Sequence, residues 1–107
     1  MTTGLNKKSE KILKDLEQEV GPTTIGRLLR HYRDSLELTQ PEMGKKLGIT
    51  KQHICDLEKG RRLISVEMAA KIAKRLKEPV DYWVSIALQD QIRKAKLKLR
   101  VRVEKAG

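Results

Sequence analysis

An all-α fold is predicted by three features of this chain. Apolar residues recur at helical spacing in successive short segments, a Thr or Ser precedes several of them, and glycine or proline follows or separates them. The expected architecture is a five-helix domain, preceded by an N-terminal amphipathic helix and followed by a β-strand. The domain occupies residues 23–94, the leading helix and linker 1–22, and the basic strand 95–107.

Each element has its own signal. Ser9 to Val20 places Ile12, Leu13, Leu16 and Val20 on one helical face and ends at Gly21-Pro22. Thr23 or Thr24 then caps a helix to about Ser35, with Ile25, Leu28, Leu29 and Tyr32 as its buried stripe. Thr39 caps the next, and Glu42 three residues later completes a capping box. Pro41 falls in the first turn, where backbone N–H groups have no intrahelical partner. Gly48 ends that helix in the left-handed conformation, Ile49 plugs the turn, and Thr50 caps a helix that carries Ile54 and Leu57 and stops at Gly60. Gly44, mid-helix at about 1 kcal/mol relative to alanine, implies that the two helices approach too closely there for a side chain. Ser65 caps a helix whose Met68, Ala69, Ile72, Ala73 and Leu76 point inward. Pro79 opens a last one, reaching about Arg93 through Val84, Leu88 and Ile92. After it the period changes: Leu97, Leu99, Val101 and Val103 alternate with charged residues, the pattern of a half-buried strand.

Composition narrows the function. With 107 residues the core is modest, and with Tyr32, Tyr82 and Trp83 as the only aromatics it is expected to be aliphatic. A formal charge of +10 favours a polyanionic partner, nucleic acid ahead of a membrane surface. The first 20 residues are balanced, so the excess lies beyond Gly21. Between Arg93 and Lys105 there are seven basic residues and one acid, which by itself is equally the mark of a solvated tail. No apolar run approaches the roughly 18 residues of a spanning helix, no signal peptide is evident, and a single cysteine forms no internal disulfide, so a cytoplasmic location is expected. Two histidines and one cysteine do not complete an ordinary zinc site, and His53 and Cys55 point in different directions on a helix. No phosphate loop or nucleophilic triad is present. Neither an enzyme nor a cofactor is expected.

The spacing from Thr39 to Arg62 describes a helix-turn-helix. Thr39-Gln40, Gly48, Ile49-Thr50, Ile54, Leu57-Glu58 and Gly60 with the arginines after it resemble the DNA-binding domain of phage-repressor-type (XRE, or Cro-type) transcription factors, from about Thr24 to Val84. Gly44 replaces the family's usual alanine, and Cys55 stands where serine is common. The resemblance implies a homodimer on a palindromic operator in double-stranded DNA, with half-sites about one helical turn apart. It makes Lys51, Gln52 and Asp56 the base-reading side chains: lysine suits guanine, glutamine adenine, and a carboxylate the cytosine amino group. For Asp56 a salt bridge or a solvated side chain is the alternative. Thr39, Gln40, Thr50, His53, Lys59, Arg61 and Arg62 are expected at phosphates or flanking positions, and Arg33 pairs with Glu58 to hold the fold.

Two biological roles fit. The chain resembles antitoxins of the HigA or HipB kind, which repress their own operon and bind a toxin. A stand-alone phage-type or restriction-modification regulator is the alternative. A third reading, from another class, is a protein-binding adaptor with degenerate DNA binding. The strand residues Leu97, Leu99, Val101 and Val103 are expected to pair with the same segment of a second subunit at the dimer axis, since a lone strand leaves its backbone groups unpaired.

Overall fold

The computed structural model describes residues 22–106 and contains five α-helices: α1 Ile25–Ser35, α2 Gln40–Leu47, α3 Lys51–Glu58, α4 Val66–Arg75 and α5 Val80–Lys94. The amphipathic helix expected over residues 9–20 lies outside the described residues.

Four of the five helices start on a side-chain cap. The hydroxyls of Thr24, Thr39, Thr50 and Ser65 accept from the backbone N–H groups of Arg27, Glu42, His53 and Met68, satisfying donors that the first turn leaves free. At Thr39 the box is closed reciprocally, with Glu42 Oε1 accepting from the Thr39 N–H at 2.9 Å. The first turn of α1 has a second, distant partner. The Asp90 carboxylate on α5 accepts from the Ile25 N–H at 2.9 Å, tying the start of the first helix to the last.

The helix ends divide into two kinds. Gly48 and Gly60 take φ of 73° and 72°, as their role in ending α2 and α3 requires. The other three helices end on non-glycine residues in the same region: Glu37, Lys77 and Lys96, with φ of 56°, 58° and 58°. Each is followed by a residue whose N–H reaches back to the helix, Leu38 to Arg33, Glu78 to Ala73 and Leu97 to Ile92, so the last carbonyls are satisfied without glycine.

The apolar stripes converge on one core. Ile25, Leu29, Met43, Leu47, Ile54, Leu57, Ile64, Ala69, Ile72, Ala73, Trp83 and Ala87 are buried. The aliphatic core expected from composition needs correction: Trp83 is fully buried at its centre, and Tyr32 packs against it with ring centroids 5.8 Å apart. One indole buries more apolar area than any aliphatic side chain, so a chain poor in aromatics still centres its core on one. The Tyr32 hydroxyl donates to Glu78, fastening α1 to the connection between α4 and α5.

The strand expected over Leu97–Val103 is not formed; the described residues contain no strand. The tail instead runs back along α5, held by one side chain. Gln89 Nε2 donates to the Leu99 carbonyl at 2.9 Å, and Gln89 Oε1 accepts from the Val101 N–H at 2.8 Å. A primary amide carries the same donor and acceptor pair as a backbone edge, so Gln89 supplies what a neighbouring strand would. Val101 and Val103 are half-buried, whereas Leu97 and Leu99 are 52% and 59% exposed. Alternation of side chains describes an extended chain; a strand also needs a second backbone.

Candidate nucleic-acid interface

The turn from α2 to α3 is set by close backbone approach. A Cβ on Gly44 would lie 2.6 Å from the Ile49 carbonyl oxygen, so the connection packs onto α2 with no room for a methyl group. Alanine here is therefore not a neutral exchange. The far end of α3 is placed in the same way. A Cβ on Gly26 of α1 would lie 2.1 Å from the Leu57 carbonyl oxygen and 3.2 Å from that of Glu58. Gly26 is the second residue of its helix, where a glycine is a weaker signal than the mid-helix Gly44, and the sequence reading passed over it.

Beside it lies a polar network. Arg33 donates from Nε to Glu58 Oε2 at 2.7 Å and from Nη2 to Glu58 Oε1 at 3.0 Å, while Nη1 donates to the Leu38 carbonyl at 3.0 Å. The two side chains are 16% and 5% exposed. Burial pushes the Glu58 carboxyl up, but the hydrogen bonds from Arg33 and Gln40 and the arginine's charge outweigh it and hold Glu58 below the usual carboxylate range. The Gln40 amide donates to Glu58 Oε1 at 3.2 Å, which directs it into this network.

The first turn of α3 presents Lys51 and Gln52 to solvent. Gln52 Nε2 donates to Asp56 Oδ1 one turn later at 3.0 Å, and the Arg61 guanidinium stands 4.0 Å from the same oxygen. Asp56 is thus paired on two sides, and the Gln52–Asp56 bond is an i,i+4 pair whose spacing is visible in the sequence. His53 is half-buried behind them; burial first, and the charge of Arg62 second, push its imidazole below its ordinary value against a smaller opposing pull from Asp56. Thr39 and Thr50 use their hydroxyls as caps. Lys59, Arg61 and Arg62 are exposed at the end of α3 and in the loop beyond it. The surface is therefore one exposed helix start with a basic loop at the opposite end of the same helix.

Among the described residues no group of three His, Cys, Asp or Glu side chains is placed to hold a metal ion, and no helix is long and apolar enough to cross a membrane. Cys55 is half-buried in α3.

Two short helices joined at a left-handed glycine, with the second held by backbone contacts and its first turn bare, define a helix-turn-helix module within a five-helix bundle. The Helix-turn-helix family profile matches residues 29–83, and the chain belongs to that family. An uncharacterized HTH-type transcriptional regulator of Methanothermobacter thermautotrophicus is 45% identical over 49 residues, which are 46% of this chain and 71% of that protein. An uncharacterized transcriptional regulator in the ATPase CF(0) region of Rhodospirillum rubrum is 36% identical over 61 residues, 57% of this chain and 56% of that protein. The ImmF control region 10 kDa protein of Bacillus phage phi105 is 37% identical over 49 residues, covering 46% and 54%. Of the second and third of these relatives the chain spans only a little over half. A crystal structure of a hypothetical protein from E. coli superposes with a TM-score of 0.62 at 27% identity, covering 72% of this chain and 80% of that one.

Proposed function

We propose that this protein is a sequence-specific DNA-binding transcriptional regulator that places α3 in the major groove. The observation that supports this best is the bare first turn of α3, whose Lys51 and Gln52 are exposed while the rest of the helix is pinned to the core. In helix-turn-helix docking the N-terminal residues of the second helix meet base edges, and both side chains carry donors suited to purines. Asp56 acts with Gln52: their hydrogen bond orients the glutamine amide, leaving its second N–H and its carbonyl oxygen for a base. Lys59, Arg61 and Arg62 hold flanking phosphates, with the α2 start at Thr39 and Gln40, Thr50 and His53 along the groove edge. Such contacts fix position and carry no sequence.

The regulator is proposed to act as a homodimer on a palindromic operator in the cytoplasm. The tail offers an edge for this. Gln89 takes the Leu99 carbonyl and the Val101 N–H, whereas the backbone groups of Lys98, Arg100 and Arg102 make no hydrogen bond among the described residues. An antitoxin role rests on the small size, the single DNA-binding domain and the short segments at both ends, and chiefly on a C-terminal strand that is not formed among the described residues, so regulation of transcription is the primary reading; co-purification with the product of the adjacent reading frame tests the toxin partner.

Selecting a binding site from a random duplex library and titrating it against its scrambled form tests the function. A preference of about 10³-fold or more is expected at physiological salt. Equal affinities would defeat sequence-specific regulation and leave a non-specific or protein-binding role.

A further inference from the structure

The basic loop after α3 does not stand alone. Arg62 shares a cleft of about 220 Å³ with Thr24, Gly60, Asp90, Arg93 and Lys94. Arg93 also lines the neighbouring cavity of about 570 Å³, together with Thr23, Gln89, Lys98 and Arg100. The two hollows adjoin through Arg93, and they carry the cations of the loop, the end of α5 and the tail along one flank of the molecule.

The tail backbone that carries these cations is held in this position. Gln89 grips the backbone on both sides of Arg100, at the Leu99 carbonyl and the Val101 N–H. In an extended chain residues two apart share a face and are separated by roughly 6.6 Å, which sets Lys98, Arg100 and Arg102 in a row. None of the three forms an ion pair among the described residues, and neither does Arg62. Among the described residues the carboxylate lining these hollows, Asp90, is already committed to the Ile25 N–H and to Arg93 Nη1 at 3.1 Å. Among the described residues the flank is left with excess positive charge near the capped start of α1, whose dipole has the same sign.

We propose that this flank is an extension of the DNA interface: the docked tail, through Lys98 and Arg100, contacts backbone phosphates beyond those met by Lys59, Arg61 and Arg62. The inference rests on the reading of α3 as a DNA-binding helix and adds a second, sequence-independent contact region. A DNA strand carries one charge per roughly 3.4 Å of axis, so cations about 6.6 Å apart along an extended segment fall near every second phosphate. Gln89 is the positioning residue, acting through the backbone it holds.

Fluorescence anisotropy with a long mixed-sequence duplex over a series of salt concentrations tests this, because each phosphate contact contributes roughly 0.9 to the slope of log K against log salt. Lys98→Gln/Arg100→Gln is expected to flatten the slope by about 2 per bound chain. Lys74→Gln/Lys77→Gln, which removes the same charge from the exposed end of α4, is expected to leave it unchanged. Equal slopes for the tail variant and the unaltered protein would overturn the proposal, as would equal flattening by both variants. Gln89→Leu keeps every charge and is expected to weaken binding several-fold; unaltered binding would refute its positioning role. Failure of the unaltered protein to bind duplex at all would instead remove the functional reading itself, and the two failures are therefore distinct.

Discussion

Replacing Glu58 by alanine is expected to destabilise the fold more than any surface change. Its carboxylate is 5% exposed and accepts three hydrogen bonds, two from Arg33 and one from Gln40. Removing one member of a buried pair commonly costs about 3–5 kcal/mol, because the other charge is stranded. Arg33 is 16% exposed, keeps its bond to the Leu38 carbonyl and has Asp34 at 3.8 Å, which places the loss near the lower end, about 3 kcal/mol. For a domain of this size that is a fall in Tm of roughly 12–24 °C. Thermal and urea unfolding followed by circular dichroism measure it. The double replacement Arg33→Met/Glu58→Met, which leaves no charge unpaired, is expected to recover much of the loss. A loss below about 1 kcal/mol for Glu58→Ala would show that the pair behaves as an exposed ion pair, and the argument from burial would fail.

Gly26→Ala puts a methyl group against the Leu57 carbonyl and is expected to lose about 1–3 kcal/mol in urea unfolding and to weaken DNA binding by displacing α3; binding unchanged at full occupancy of the fold would separate that contact from the pose of the helix. Lys77→Gly relieves a left-handed lysine and is expected to raise stability by up to about 1 kcal/mol, readable as a higher urea midpoint. Stability is also expected to fall as the pH is lowered. The His53 imidazole is depressed below its ordinary 6.5, so its contribution is complete above that value and is lost as the pH drops through the lowered one; Glu58, depressed below 4.5, repeats this at lower pH. Burial raises Asp90, which favours folding as the pH falls through its raised value and offsets part of the loss. Urea midpoints across this range follow the balance, and His53→Gln is expected to remove the upper limb alone.

Much of the fold was legible because its signals are local. Thr24, Thr39, Thr50 and Ser65 each cap a helix through an atom three residues away. The ends of α1 and α5 were read to within a residue, at about Ser35 and Arg93, but the left-handed residues beyond α1, α4 and α5 were not, since Glu37, Lys77 and Lys96 carry no compositional mark of that conformation. Asp90 and Gln89 were not legible: each acts on backbone that only the packed bundle brings near, Asp90 across 65 positions to Ile25. The tail shows the opposite error, where period two was read as a strand although its partner is an amide side chain. At the candidate interface, the position of α3 followed from spacing, whereas the engagement of Gln40 with Glu58 depends on how α2 meets the end of α3.

Both ends of α3 are fixed by main-chain approach, the start through Gly44 against Ile49 and the end through Gly26 against Leu57. Its exposed side chains contribute little to where it lies. On the proposed reading, Lys51 and Gln52 can therefore be exchanged with the helix axis unmoved, which separates what is recognised from how the domain docks. A bundle built in this way holds α3 in one stance whatever side chains its first turn carries.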